Sequence, residues 1–170
     1  MVKKGGRNRN YMKGAVEEIL DIGALATRTL VSGTMSSVVT EKTLISSIVS
    51  TYALSNWTPA PDDGPLTVGI AHSDYTDAEI EEVLENTGGW SQGNLVAQEV
   101  AKRKVRIIGT IDSHDGDVQV LNDGKPIKSK LNWLLETGQT LKFWVYNSGP
   151  SALTDGADLT MVGHVNLFGR

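Results

Sequence analysis

The residues with the plainest chemistry are cations. Lys3, Lys4, Arg7, Arg9 and Lys13 all precede the first acid, Glu17. Side chains of this kind, set against phosphates, release counterions and bind a nucleic-acid strand without reading its sequence. Two further clusters offer the same chemistry. Lys102, Arg103, Lys104 and Arg106 surround the start of one strand pattern. Lys128 and Lys130 share one face of another, with Lys125 nearby. Either cluster also suits a solvated strand surface. The chain holds 16 Lys and Arg against 20 Asp and Glu, a net charge of −4. Setting aside the five leading cations leaves 11 against 20, or −9. A basic arm therefore precedes an acidic body, an asymmetry that points to a tail meeting a polyanion while the body does something else.

Other reactive constellations are thin. Three His are present, at 72, 114 and 164, and no Ser lies in a G-x-S-x-G elbow. His72 is expected at a strand end, His114 in a turn and His164 on an outward face, so no catalytic residue is assigned and no enzyme is expected. Asp112, His114, Asp115 and Asp117 crowd one stretch and could wrap a calcium ion, yet the closing Glu of the twelve-residue loop is missing. The stretch reads as a hairpin turn at Asp115-Gly116, with no metal and no cofactor. Asp62-Asp63 and the Asp74/Asp77 pair read as a turn and a helix start. Gly5-Gly6 and Gly88-Gly89 match no phosphate loop. Trp57, Trp90, Trp133 and Trp144 could stack on bases or sugars, but such residues more often fill a core or a subunit interface. Cysteine is absent, which removes disulfides, thiolate nucleophiles and Cys-bound zinc.

The elements that must position these groups read mostly as strands. A chain of 170 residues suits one domain and is long enough to bury a core without staples. No run of about 18 apolar residues occurs, so no membrane span is expected. No apolar stretch follows the leading cations, so no secretory signal is expected. Residues 1–13 are expected to be a disordered arm, and Ala15–Asp21 a short helix. Alternation of period 2 marks Val105–Ile111, Leu141–Tyr146 and Leu159–Leu167. Gly23–Val31, Leu66–Ala71, Val118–Leu121 and Ile127–Leu135 are further strand candidates. Thr43–Leu54 has apolar residues at helical spacing but a Ser, Thr, Ile and Val composition that favours a long strand. Two helices interrupt the strands. Thr76-Asp77-Ala78-Glu79 is a capping box, followed by the stripe Ile80, Val83, Leu84 and a stop at Gly88. Asn94–Lys104 is the second. The fold expected is all-β: a single eight-stranded jelly-roll β-sandwich over residues 14–170, with two short helical inserts.

An acidic body is unusual for a monomeric nucleic-acid binder. It suits a shell subunit whose arm faces inward and whose acidic surfaces face outward. Several segments carry a resemblance of that kind: Gly23-Ala-Leu-Ala-Thr-Arg-Thr-Leu-Val31, Gly69-Ile-Ala-His-Ser-Asp-Tyr-Thr-Asp-Ala-Glu-Ile-Glu-Glu82, Glu85-Asn-Thr-Gly88, Lys102-Arg-Lys-Val-Arg-Ile-Ile-Gly109, Leu121-Asn-Asp-Gly-Lys-Pro-Ile-Lys128 and Gly163-His-Val-Asn-Leu-Phe-Gly-Arg170. From Ala15 onward the chain resembles the single jelly-roll capsid proteins of small circular Rep-encoding single-stranded DNA viruses, the circovirus-like group. The resemblance implies a coat protein that self-assembles into a small icosahedral shell, T=1, around a single-stranded DNA genome or other nucleic acid. It implies a virion location and, during assembly, a host-cell and nuclear one. The group's arm is Arg-rich and longer. Here it is about a dozen residues with five cations. An alternative is a monomeric or small-oligomer jelly-roll binding module, for carbohydrate or another ligand, with a concave face lined by Trp. A cupin-type enzyme would need several His converging on a metal.

Overall fold

The structure is a computed structural model and describes residues 11–35, 39–55, 65–85, 104–111, 119–153 and 160–170. Nine strands and one α-helix lie among them: β1 (Tyr11–Asp21), β2 (Leu30–Thr34), β3 (Thr43–Ser55), β4 (Leu66–His72), α1 (Asp77–Glu85), β5 (Val105–Ile111), β6 (Gln119–Val120), β7 (Ile127–Leu135), β8 (Leu141–Asn147) and β9 (Thr160–Gly169). A 3₁₀ turn at Leu121–Gly124 joins β6 to β7.

All pairings are antiparallel. β1 pairs β9, β2 pairs β8, β3 pairs β7 and β4 pairs β5. These four pairings are the rungs of one long ribbon that doubles back at its middle. The ribbon then wraps on itself: β9 also pairs β3, and β8 also pairs β4. One sheet therefore runs β1-β9-β3-β7, with β6 continuing the β7 edge, and the other runs β2-β8-β4-β5. A doubled ribbon wrapped in this way is a jelly roll. Its eight principal strands are those expected in number, and β6 is a two-residue addition.

Period-2 alternation fills the space between the sheets. Leu141, Phe143 and Val145 point inward from β8, Leu66, Val68 and Ile70 from β4, and Val165 and Leu167 from β9; all belong to one buried cluster. Leu131, Trp133 and Leu135 do the same from β7. Two bulges explain patterns that alternation alone leaves irregular. The β3 register shifts between Ile45 and Ser47. Ile45 and Ile48 therefore both face the core, three residues apart, in what looks like a helical spacing. On β5 the shift between Val68 and Gly69 of its partner makes Ile108 the extra residue. Val105 then faces outward and Ile111 inward.

Four local expectations are corrected. Ala15–Asp21 is not a helix but the second half of β1, which pairs β9 from Tyr11↔Gly169 to Asp21↔Thr160. A seven-residue helix is marginal alone, whereas the β9 edge supplies a partner along the whole segment. The same strand begins at Tyr11, inside the segment 1–13 expected to be disordered. Gly23–Val31 is irregular until Leu30, with Gly23 at φ +60° and Arg28 at φ 56° breaking extended structure. Val118–Leu121 gives only the two-residue β6 before the chain turns. Thr43–Leu54 is a strand, and Ile127–Leu135 is β7 at the expected bounds.

Helix α1 begins as its capping box requires. Glu79 N–H donates to Thr76 Oγ1 (3.3 Å), and Thr76 N–H donates to Glu79 Oε2 (2.8 Å). Its stripe covers the outer face of the β2-β8-β4-β5 sheet, where Ile80, Trp144, Ala71, Leu30 and Tyr146 form a second buried cluster with Val83 and Leu84 at its margin. A β-carbon on Gly69 would run into Trp144 Cζ2 and the Arg106 carbonyl oxygen, so only glycine admits the indole here. Leu30 N–H donates to Glu81 Oε1 (2.8 Å) and Tyr146 O–H to Glu85 Oε1 (2.9 Å), pinning the helix to two strands. Burial and the Glu85 carboxylate push the Tyr146 phenol up to about 12. The second expected helix, Asn94–Lys104, lies outside the described residues except for Lys104.

At the far end of the sandwich, Asn147 is fully buried. Its Nδ2 donates to the carbonyls of Leu25 (3.1 Å) and Ser151 (2.9 Å), and its Oδ1 accepts from Gly149 N–H (3.0 Å). One amide thus ties the loop before β2 to the loop after β8.

Candidate nucleic-acid interface

At the near end, the sheets meet through His72. Its Nε2 donates to the Leu134 carbonyl (3.1 Å), and its Nδ1 accepts from Asp74 N–H (3.2 Å). A carbonyl accepts only, so in the neutral ring these partners select the Nε2–H tautomer. Asp74 Oδ2 also lies 3.3 Å from Nδ1, where it can accept only from a protonated ring. His72 sits at the end of β4 and Leu134 near the end of β7, so the imidazole sews one sheet to the other where both β7 and β5 are edge strands. It is a structural histidine, buried at a strand end. Thr43, Leu135, Gly169 and Tyr11 stand at this same end of the β1-β9-β3-β7 sheet.

The expected cations lie on the two edge strands, β5 and β7, and in the turn before β7. Lys104 is half-buried at the entry to β5, where its carbonyl accepts from His72 N–H (3.0 Å). Arg106 is exposed on β5 opposite Ile70. Lys128 and Lys130 are exposed on β7, opposite Val49 and Ser47, and Lys125 is exposed in the preceding turn. β5 and β7 touch across the sandwich, so two clusters that lie more than twenty positions apart in sequence border one edge. Lys13 falls in β1 at the register shift between Met12 and Gly14. Lys3, Lys4, Arg7, Arg9, Lys102 and Arg103 lie outside the described residues, as do the Asp112–Asp117 stretch, His114, Asp62-Asp63, Trp57 and Trp90. Among the described residues, no group of three His, Asp or Glu is placed to hold a metal ion. No helix among them is long and apolar enough to cross a membrane.

The β1-β9-β3-β7 sheet has an outer face that no helix covers among the described residues. On it stand Val162, His164, Asn166 and Phe168 from β9, Val49, Thr51 and Ala53 from β3, and Lys128 and Lys130 from β7. None of these is an acid, but two acids of β1, Glu17 and Asp21, hold the register positions opposite His164 and Thr160 at the margin of the same face. The opposite face of the molecule is acidic. Asp77, Glu79, Glu81, Glu82 and Glu85 all lie on α1, which has no base. Asp77 meets Lys142 at 3.6 Å and accepts from Ser32 Oγ at 2.6 Å. At the near end, Glu136 pairs with Lys42 (3.0 Å).

Of this face, sequence reasoning found Lys128, Lys130 and the outward His164. It missed Phe168, whose position follows from continuing the β9 alternation two residues beyond Asn166. Trp133 and Trp144 are both interior, one between the sheets and one beneath α1. Neither is offered to a sugar or a base.

No family model matches the chain, and no curated protein matches it. A chain of Desmodium yellow mottle tymovirus aligns over 99% of this chain and 86% of its own, at 17% identity and a TM-score of 0.31. A score that low does not establish a common fold, and the jelly roll stands on its own strand order.

Proposed function

We propose that this chain is a structural coat subunit without enzymatic activity, which self-assembles into a small icosahedral shell, T=1, around a single-stranded DNA genome. In this reading the basic arm and the β1-β9-β3-β7 sheet face the interior. The α1 face points outward, and the finished particle is the virion, with assembly in the host cell or its nucleus. The observation that carries the reading is the opposed charge of the two faces. Cations and neutral side chains from β3, β7 and β9 occupy one sheet face, with Glu17 and Asp21 at its β1 margin, while five acids on α1 cover the other. A curved shell with a polyanion inside favours this polarity, since each inward cation neutralises phosphate and each outward acid keeps particles apart. The wrapped ribbon also leaves sheet edges at β1, β7, β2 and β5 that neighbouring copies could cover. The sequence resemblance to circovirus-like coat proteins supports the same reading.

Size-exclusion chromatography with light scattering, recorded at 260 and 280 nm, tests it. Megadalton particles of uniform size with high 260 nm absorbance are expected. Removing residues 1–10 should leave shells that hold less nucleic acid. A species near 18.3 kDa or a small multiple at every salt and pH would overturn the shell and favour the ligand-binding module.

A further inference from the structure

We infer that the uncovered face of the β1-β9-β3-β7 sheet is a single-strand platform, on which Phe168 stacks a base while Lys128 and Lys130 hold the flanking phosphates. The inference rests on the proposed inward orientation of this sheet and adds a residue-level reason for strand preference. Cross-strand register sets the layout. One row across the sheet runs Phe168, Ser47, Lys130, and the next runs Asn166, Val49, Lys128. Phe168 and Lys130 are separated by two strand spacings, about 10 Å, and the rows by about 7 Å. A lysine stem reaches most of that distance. Phe168 is half-buried on the outer face, and its backbone is held by Ser46 Oγ, which donates to the Phe168 carbonyl (3.1 Å). The backbone that carries the ring is thus anchored, two strands away from two exposed lysines on the same face.

The polar neighbours complete the chemistry. Asn166 is exposed, and its amide can meet either a phosphate or a base edge. The smaller Ser47 and Val49 leave the middle of both rows low. The root of the basic arm enters on the same sheet, because Met12 of β1 is the other cross-strand neighbour of Phe168. A duplex keeps its bases stacked on one another and offers this face only phosphates. A single strand offers both phosphates and bare base faces. Stacking on one aromatic contributes to the second case alone, whereas the arm and the two lysines serve both. The two functions therefore separate: the cations set affinity for any polyanion, and Phe168 sets the preference for single strands.

The test titrates the full-length chain into fluorescein-labelled dT20 and into the matching 20-base-pair dA·dT duplex, with anisotropy as the readout. Protein is kept below the concentration at which light scattering detects particles. Phe168→Leu should weaken dT20 binding by about fivefold or more and leave duplex binding unchanged, while Phe168→Tyr should restore the preference. The Lys128→Ala/Lys130→Ala pair should weaken both probes and lower the dT20 salt slope by about 1.4, at roughly 0.7 for each lysine–phosphate pairing removed. Equal dT20 binding by the wild type and by Phe168→Leu, at matched thermal stability, would overturn the platform. Particle formation by the wild type is scored separately, so a chain that assembles but ignores Phe168 refutes only the platform. A chain that uses Phe168 but never assembles refutes only the shell.

Discussion

Replacing Asn147 tests whether one buried amide holds the far end of the sandwich together. Asn147→Ala removes three hydrogen bonds of 2.9–3.1 Å. At a net 0.5–1.5 kcal/mol each these amount to about 3 kcal/mol. The consequences differ among the partners. The Leu25 carbonyl keeps Leu153 N–H as a donor (2.9 Å), and Ser151 is exposed, so water can reach it. The bond to Gly149 N–H is buried, and that donor is left unpaired, at about 1–3 kcal/mol. The total is therefore about 3–4 kcal/mol, allowing some relaxation. Asn147→Asp is the sharper variant. It keeps the acceptor for Gly149 but aims a carboxylate oxygen at two carbonyls in a buried site. It should be less stable than the alanine variant at pH 7 despite its closer shape. Its deficit should shrink as the pH is lowered toward the ordinary aspartate range, about 3.9. The sign follows from a carboxyl titrating higher in the folded state, whose penalty is present above that folded value and disappears below the unfolded one. Urea denaturation of both variants at pH 7 and pH 4 gives the four free energies needed. If Asn147→Asp matches the wild type at pH 7, the amide is not oriented between the two carbonyls and the argument fails.

Two other outcomes follow from the packing. Gly69→Ala should cost about 1–3 kcal/mol or more. Its methyl meets the fully buried Trp144 ring and the β5 backbone, and neither can retreat; a thermal melt within about 1 °C of the wild type would show that the indole has room. Alkaline stability should fall from about pH 10 upward. Burial pushes the Tyr52 phenol up to about 12 from 10.0, against a smaller lowering by Ser50, and neither hydroxyl has a well-formed hydrogen bond. Below pH 10 both states keep the proton and nothing is lost; between 10 and 12 the unfolded chain ionises first and the fold loses about 2–3 kcal/mol. Tyr52→Phe should flatten that part of a denaturation series, and an unchanged slope would assign the loss to other groups.

Where local chemistry decides structure, the sequence was legible. The Thr76–Glu79 box and the alternation of β8 depend on neighbours within a few positions, and each stands where the residues put it. β1 was illegible because its partner, β9, is 139 residues away in sequence at the Asp21–Thr160 pair, and a segment with Val16, Ile19 and Leu20 fits a helix face equally well until that partner is known. The bulges at Ile45/Ser47 and Ile108 shift the period by one and scramble any count of alternation. The candidate interface was legible as residue types but not as a place. The two cation clusters lie on the same side of the sandwich only because β5 and β7 are edge strands that face each other across it. Phe168 gained meaning only from the strands on either side of it. The role of Asn147 depends on the Leu25 carbonyl, which only the fold brings to it.

The position of β9 between β1 and β3 bears on how the chain is made. From Asp21 to its partner Thr160 the ribosome adds 139 residues, which takes roughly 7–28 s at ordinary elongation rates. Throughout that interval β1 and β3 have no shared neighbour, and the sheet that carries Phe168, Lys128 and Lys130 does not exist. Pairings this distant in sequence also form slowly once the strands are available. A nascent chain therefore has its arm from the outset but no sheet behind it. The last strand to emerge is the one that sets arm root, ring and lysines side by side, so a fragment stopped short of Thr160 has the charges for nucleic acid and lacks the surface that arranges them.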